Sequence, residues 1–144
     1  MTSAEGQIIG YVPGAFDLFH VGHLNMLRQA RPHCDVLVAG VVSDEMLEVT
    51  KGISPTVPLE ERAEIVEAIG IVDSVYVETT PDKRDAQRAV GFHKLFKGDD
   101  WKGTPKGDRL EAMMAEVGVE VVYFPYTLQT SSTQLRKALS ERVS

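Results

Sequence analysis

Cysteine is nearly absent from this chain of 144 residues, since Cys34 is the single one and has no partner for an intrachain disulfide. A reducing compartment is the simplest interpretation of that usage. Long apolar runs are also missing, and none approaches the roughly 20 residues of a membrane-spanning helix. The first five residues lack a secretory signal pattern. We therefore expect a cytoplasmic protein without membrane insertion.

Basic residues are in the minority, because 15 Lys and Arg stand against 21 Asp and Glu for a net charge of -6. Nucleic acids and anionic membrane surfaces favour basic partners, so this balance argues against nucleic-acid binding. A small anionic ligand stays compatible with it, since a local cluster of cations is enough. With 43% hydrophobic and 25% charged residues, we expect residues 1–144 to form one globular domain.

The chain does contain a regular alternation of apolar runs and helical segments. Runs typical of buried strands lie at residues 7–13, 35–42, 74–78, 94–97 and 120–124. Helical patterns separate them, which predicts an α/β fold with a parallel five-stranded sheet and right-handed crossovers. Residues 51–57 contain Gly and Pro without periodicity and are predicted to form a loop.

Polar segments follow four of these strands, at residues 14–23, 43–51, 98–101 and 127–133. Ligands of parallel α/β sheets bind beyond the carboxyl ends of the strands. The four segments are far apart in sequence, yet this topology places them at one edge. We therefore predict that they form a common ligand site.

The segment at 14–23 reads Gly-Ala-Phe-Asp-Leu-Phe-His-Val-Gly-His. A strand that ends in glycine and turns into a helix leaves backbone N–H groups free to bind phosphate. His20 and His23 are three residues apart and lie on one helix face. Three interpretations stay open: helix-start residues without a ligand, two ligands of a metal that needs a third, or a pair that stabilises phosphate charge in a transition state.

Two further segments carry charge at the predicted edge. Lys51 could close over a triphosphate from its loop or simply be a solvated lysine. Asp99 and Asp100 could bind Mg²⁺, a base or a hydroxyl, or they could form a tight turn with Trp101 as a packing residue.

Hydroxyl residues cluster before the last helix, where Thr130, Ser131, Ser132 and Thr133 are consecutive. One Ser would suffice as an ordinary helix cap. Hydroxyls and free N–H groups at a helix start also suit anionic oxygens, and four in a row exceed what capping requires.

The decapeptide at 14–23 resembles the signature of nucleotidyltransferases with an H-x-G-H motif. Its F-D-L-F-H-x-G-H form is similar to the cytidylyltransferases for glycerol 3-phosphate, phosphocholine and phosphoethanolamine. The resemblance implies a Rossmann-like three-layer fold and a homodimer. It also implies transfer of CMP from CTP to a small phosphorylated alcohol, with Mg²⁺ accompanying the nucleoside triphosphate and with release of pyrophosphate.

Residue roles follow from the same resemblance. His20 and His23 match the histidines that stabilise the pentacoordinate phosphate, and Lys51, in Lys-Gly, matches the catalytic lysine. The matching motifs also include G-D-D-W-x-G after the fourth strand and S-S-T-x-L-R at the last helix. They imply nucleotide binding by Gly14, Ala15, Phe16, Asp17, Gly22, Asp99, Asp100, Trp101, Thr127, Ser131, Ser132 and Thr133. No protein ligand to a metal is assigned.

Arg62 belongs to a Glu-Glu-Arg run that resembles the family's E-x-R segment. From position alone we expect it to pair with the preceding acids one helical turn away, or to have an interior or dimer-interface role.

Three positions depart from the glycerol-3-phosphate branch. Gly70 and Tyr126 stand where that branch carries arginines, and Ala15 replaces its usual threonine, although a backbone N–H there could serve. The acceptor therefore stays open at this point, and the other cations available for it are Lys102, Lys106, Arg84 and Arg88. Two alternatives to the cytidylyltransferase reading are an adenylyltransferase that uses ATP and a nucleotide-binding regulator without turnover.

Overall fold

The computed structural model describes residues 6–125 and 132–143. In these residues five parallel strands form one sheet with the order β3-β2-β1-β4-β5. The strands are β1 (Ile9–Gly14), β2 (Val36–Val42), β3 (Ser74–Glu78), β4 (Lys94–Gly98) and β5 (Glu120–Phe124). The predicted fold class, a Rossmann-like α/β fold, is confirmed.

Helices connect the strands and cover both faces of the sheet. They are α1 (Val21–Ala30), α2 (Asp44–Lys51), α3 (Leu59–Glu67), α4 (Lys83–Val90), α5 (Pro105–Glu116) and α6 (Ser132–Val143). Short 3-10 turns occupy Arg31–His33 and Asp99–Trp101. None of the helices in the described ranges combines the length and hydrophobicity needed to cross a bilayer.

Alternate residues of each strand enter two different cores, which makes the fold three-layered. Val12 of β1 packs in a cluster with Leu27 of α1. Its neighbour Tyr11 points to the other face and packs in a cluster with Leu110 and Met114 of α5. The sheet is therefore buried on both sides, as its valine-rich strands predict.

Lys51 lies at the end of α2 and not in a loop as the sequence predicts. The Ser43 hydroxyl caps the start of the helix by accepting from the Met46 N–H at 3.2 Å. The helix stops at Gly52, whose φ of 67° places it in the left-handed region that ends many helices. The glycine taken as a loop residue is thus a helix terminator, and Lys51 is held by the last turn.

Candidate active site

A cavity of about 380 Å³ opens at the carboxyl ends of β1 and β4. Residues from the β1–α1 loop, α1, α2, β4 and α6 line it. The sequence-predicted site residues in its lining are Gly14, Ala15, Phe16, Asp17, His20, Gly22, His23, Lys51, Asp100, Trp101, Ser132 and Thr133. Asp99 belongs to the same turn as Trp101 but is not part of the lining. Thr127, Ser131 and Tyr126 lie outside the described residues.

The β1–α1 loop is strained at two positions. Phe16 and Leu18 have backbone φ values of 52° and 53°, which residues other than glycine rarely adopt. Each such conformation costs about 1–3 kcal/mol. Between them, the buried carboxylate of Asp17 accepts hydrogen bonds from the backbone N–H groups of Thr56 and Val57, both at 2.9 Å. These bonds hold the strained loop against the segment that follows α2.

The two histidines cap α1 together. The Gly22 N–H donates to His20 Nδ1 at 3.0 Å, and the His20 N–H donates to His23 Nδ1 at 3.2 Å. Each Nδ1 therefore carries no proton, and a neutral ring must carry its proton on Nε2. The ring centroids lie 4.1 Å apart and both rings line the cavity. The local backbone thus fixes the tautomer that presents Nε2–H as a donor.

Burial keeps both imidazoles neutral near pH 7. It lowers the pKa of His20, and it lowers the pKa of His23 to about 4, with the neighbouring His20 adding to the shift. The metal interpretation gains no support, because in residues 6–125 and 132–143 no three His, Cys, Asp or Glu side chains converge as a metal site would require. The pair is instead arranged as two neutral hydrogen-bond donors.

The start of α6 closes the cavity beside the histidines. The Ser132 hydroxyl donates to the Asp17 carbonyl at 2.5 Å and lies 3.4 Å from His20 Nε2. The Arg136 guanidinium lies 3.3 Å from the Asp17 carboxylate. The sequence motif included Arg136 without giving it a role, and the structure places it in the cavity lining with Thr133.

Lys51 enters the cavity from the last turn of α2. Burial lowers its pKa, and the charges of Lys106, Lys83 and Arg136 lower it further. Its ammonium therefore lies within electrostatic reach of both α5 and α6. A cation in that position can neutralise an anion bound in the cavity.

The turn at the end of β4 is fixed by a close approach of α5. The Trp101 carbonyl accepts from the Thr104 hydroxyl at 2.6 Å. A Cβ on Gly107 would lie 2.0 Å from the same carbonyl oxygen, so the first turn of α5 requires glycine there. This contact places the Trp101 ring at the cavity wall.

Lys97 is a cavity residue that the sequence reasoning missed. It comes just before Gly98 at the carboxyl end of β4, and its ammonium lies 3.9 Å from the centroid of the Trp101 ring. Burial lowers its pKa to about 8, and the charges of Lys83 and Lys51 contribute. The sequence did offer an indication of this position, because Lys97 directly follows the apolar pair Leu95 and Phe96 at the carboxyl end of a predicted strand.

Arg62 is an interior residue, which is one of the roles that the sequence left open, and not a partner of the preceding acids on the helix surface. It is 1% exposed. Its guanidinium donates to the carbonyls of Val57, Ala15 and Val42 at 2.8, 2.7 and 2.8 Å, and to the Asp44 carboxylate. A single side chain thus joins the β1–α1 loop, the end of β2, the start of α2 and the segment before α3.

The fold and the cavity define an α/β domain of the nucleotidyltransferase type. The crystal structure of the lipopolysaccharide core biosynthesis protein from Thermoplasma volcanium GSS1 has the same fold, with a TM-score of 0.73, 22% identity, and 87% of this chain aligned to 100% of that chain. The family model described as cytidylyltransferase-like matches residues 11–138. The chain belongs to the cytidylyltransferase-like family, and the expectation of a nucleotidyltransferase is confirmed at that level.

The relatives that match this chain carry the names of several different enzymes. The ethanolamine-phosphate cytidylyltransferase of Arabidopsis thaliana is 52% identical over 113 residues, which are 75% of this chain and 27% of that protein. The glycerol-3-phosphate cytidylyltransferase of Bacillus spizizenii is 34% identical over 139 residues, with 93% and 97% covered. The FAD synthase of Thermococcus kodakarensis is 32% identical over 151 residues, with 99% and 97% covered.

Some relatives are much longer than this chain. It spans 27% of the bifunctional protein HldE of Hyphomonas neptunium, to which it is 35% identical over 135 residues, or 92% of its own length. The shared region in these longer proteins is thus about a quarter of the relative.

Proposed function

We propose that the protein transfers CMP from CTP to a small phosphorylated alcohol and releases pyrophosphate. The observation that carries this proposal is the pair of histidines whose tautomers are fixed so that both Nε2–H groups are donors at the cavity, beside the start of α6. Donors preorganised toward developing charge are the largest contribution to many enzymatic accelerations.

In the proposed reaction, a phosphate oxygen of the acceptor attacks the α-phosphorus of CTP. A new P–O bond forms, and the bond from the α-phosphorus to the oxygen that bridges it to the β-phosphate breaks. The bonding electrons leave with pyrophosphate, and the product is a CDP-alcohol. The acceptor phosphate is ionised at neutral pH, so no general base is needed. Positioning and charge neutralisation therefore dominate catalysis.

We assign the main predicted residues to steps of this reaction. His20 and His23 donate to oxygens of the α- and β-phosphates, and Lys51 neutralises the triphosphate from the end of α2. Ser132 and Thr133, with Ser131 before them, hold the leaving pyrophosphate at the start of α6, where free N–H groups favour anions. Asp17 orients the loop that carries the histidines, since its carboxylate oxygens accept the two amides of the neighbouring segment.

Mg²⁺ fits this site as a companion of the nucleotide. The described residues offer no cage of three protein ligands, and Mg²⁺ commonly binds triphosphate oxygens with one or two carboxylates. Asp100 is a carboxylate of the cavity lining and is the candidate ligand. Mg²⁺ would supply charge neutralisation on the phosphates.

The acceptor and donor are argued from the relatives' names. Two relatives are named for ethanolamine phosphate and glycerol 3-phosphate, which share a phosphomonoester on a small alcohol. Another relative is named FAD synthase, and we keep ATP as the alternative donor because that name refers to an adenine nucleotide. We also keep the homodimer and the cytoplasmic location as parts of this proposal.

The test is a matrix of pyrophosphate-release assays with Mg²⁺. CTP and ATP are each combined with glycerol 3-phosphate, phosphoethanolamine and phosphocholine, and each nucleotide is also assayed alone. We expect release with CTP that depends on one of the acceptors. Release with ATP only would assign the protein to the adenylyltransferases. Binding of CTP without release from any combination would support a regulator instead.

A further inference from the structure

Lys97 is a cation of the cavity lining, and no described carboxylate lies at ion-pair distance from its ammonium. Among the described residues, Asp100 and Glu78 attract this ammonium only at longer range, and burial together with the charges of Lys83 and Lys51 outweighs that attraction. Its close contact is the face of the Trp101 ring, 3.9 Å away at the centroid. An ammonium removed from water without a counter-ion is costly. A bound anion would relieve that cost.

None of the four cations proposed from the sequence for the acceptor lines the cavity, although Lys106 approaches its Trp101 wall. Arg84 is paired with Asp82 and Glu116, and Arg88 is paired with Asp85. Neither arginine lines the cavity, nor does the exposed Lys102. Lys97 does line the cavity, at the same edge of the sheet as the two histidines.

Contacts within the cavity lining form two groups, one at α6 and one at the turn after β4. His20, Ser132 and Arg136 lie at the α6 end, where Ser132 contacts His20. The other end is formed by Lys97 and Trp101, and Lys106 approaches the Trp101 ring to 5.9 Å. Lys51 lies within electrostatic reach of both ends, because Lys106 and Arg136 both lower its pKa.

In-line transfer also needs two anionic positions. The leaving pyrophosphate and the attacking phosphate lie on opposite sides of the α-phosphorus. If pyrophosphate occupies the α6 end, the attacking phosphate must approach from the opposite side. Lys97 and Trp101 belong to the cavity lining but to a different element from α6, and we assign them to that side.

We propose that Lys97, whose ammonium packs on the Trp101 ring, binds the phosphate group of the acceptor. It would take the role of the arginines that the glycerol-3-phosphate branch carries where this chain has Gly70 and Tyr126. This inference rests on the proposed transfer reaction. It assigns acceptor binding to a residue at the end of β4 and leaves triphosphate binding to the histidines, Lys51 and α6.

The first experiment uses fluorescence, because Trp101 is the sole tryptophan of the chain. Wild-type protein is titrated with glycerol 3-phosphate, phosphoethanolamine and inorganic phosphate, with and without CTP. We expect a saturable change in Trp101 emission. Lys97→Met should weaken binding at least about tenfold, while Lys97→Arg should retain most of it. Lys102→Met is the matched control and should bind as the wild type does.

The second experiment separates acceptor from nucleotide by steady-state kinetics. Lys97→Met should raise the KM of the acceptor at least about tenfold and leave the KM of CTP within about twofold. Thermal unfolding of each variant shows whether the substitution merely unfolds the protein, and Lys97→Arg supplies the folded comparison if it does.

The results distinguish this inference from the proposed function. Wild-type turnover with the same acceptor KM in Lys97→Met would overturn the Lys97 site and leave the transfer reaction standing. Lys97-dependent phosphate binding without any turnover would support the phosphate site and contradict the transferase. Absence of any phosphate-induced change in wild-type emission, with and without CTP, would overturn the site.

Discussion

At the scale of single residues, the histidine pair connects local backbone structure to chemistry. Capping of α1 uses both Nδ1 atoms, so each neutral ring carries its proton on Nε2, and that of His20 lies 3.4 Å from the Ser132 hydroxyl. The same hydrogen bonds that start the helix therefore decide which atom of each ring can donate. Without its Nδ1 hydrogen bond, either imidazole ring would be free to rotate, and its Nε2–H would no longer be fixed in orientation.

His20→Ala and His23→Ala should each lower kcat by about two to three decades, the cost of one lost transition-state donor. The folded state should survive, since helix caps contribute about 1 kcal/mol. Pyrophosphate release and thermal unfolding measure the two effects. His33→Ala is the control, because His33 packs beside Phe96 and Phe124 and is not itself part of the cavity lining. Normal turnover by either variant would contradict the role of the pair.

Lys97 makes acceptor use dependent on pH. Burial and neighbouring ammonium groups lower the pKa of Lys97 to about 8, so its charge is present below that pH and is lost above it. The kcat/KM for the acceptor, which reports the enzyme form that binds the acceptor, should fall as pH rises through about 8. Charged groups around Lys97 that bear on this pKa are Lys83 of α4, Lys51 of α2, Asp100 of the turn and Glu78 of β3.

Lys97→Arg provides the matched control for this pH profile, because a guanidinium stays protonated throughout the range. Its kcat/KM for the acceptor should stay flat where that of the wild type falls. A fall of equal size in both proteins would assign the titration to another group, with Lys51 the first to test.

At the scale of elements, Arg62 connects the segments around the site through hydrogen bonds. Its hydrogen bonds join the β1–α1 loop, β2, α2 and the segment before α3, and Asp17 joins two of the same segments through Thr56 and Val57. The strained loop that carries the histidines is therefore held from two directions.

Arg62→Met should destabilise the protein by about 3–5 kcal/mol, because it leaves buried acceptors without a donor. Arg62→Lys should recover only part of this loss, since an ammonium cannot reproduce the planar set of donors. Urea unfolding measures both. The exposed Arg28→Met on α1 is the control and should stay within about 0.5 kcal/mol of the wild type. An Arg62→Met protein as stable as that control would refute the account of this side chain.

Sequence reasoning located the elements well, because apolar runs mark the strands and glycine or proline marks most ends. It misplaced Lys51, since a glycine can end a helix as well as open a loop, and the choice depends on the φ of Gly52. Helix α5 begins at Pro105, and the Thr104 hydroxyl caps it. Proline suits that first position because its missing N–H would have no partner there.

At the scale of the whole molecule, the parallel topology brings together segments from residue 14 to residue 136. This convergence was predictable, since the strand pattern alone places the polar segments at one sheet edge. The partners of Arg62 and the orientation of Lys97 were not predictable. They depend on contacts across 47 residues from Arg62 to Ala15, and on how α5 seats Trp101, which no local pattern encodes.

Sheet packing leaves no space beside Tyr11. A Cβ on Gly40 of β2 would lie 1.9 Å from the Tyr11 hydroxyl oxygen, and that hydroxyl donates to the buried Glu78. Gly40→Ala should therefore destabilise the fold by about 1–3 kcal/mol, the usual cost of overpacking. Denaturant unfolding tests this. Gly70→Ala is the control, because a Cβ there meets no atom within 4 Å, and equal stability of the two variants would contradict the packing argument.

The most direct test of the central claim is ³¹P NMR of the protein with CTP, Mg²⁺ and glycerol 3-phosphate or phosphoethanolamine. Transfer predicts loss of the acceptor's phosphomonoester signal, a pair of coupled diphosphate resonances from the CDP-alcohol, and an equal amount of pyrophosphate. CMP with pyrophosphate and unchanged acceptor would show hydrolysis. That result, or an unchanged triphosphate spectrum, would contradict nucleotidyl transfer to a phosphorylated alcohol.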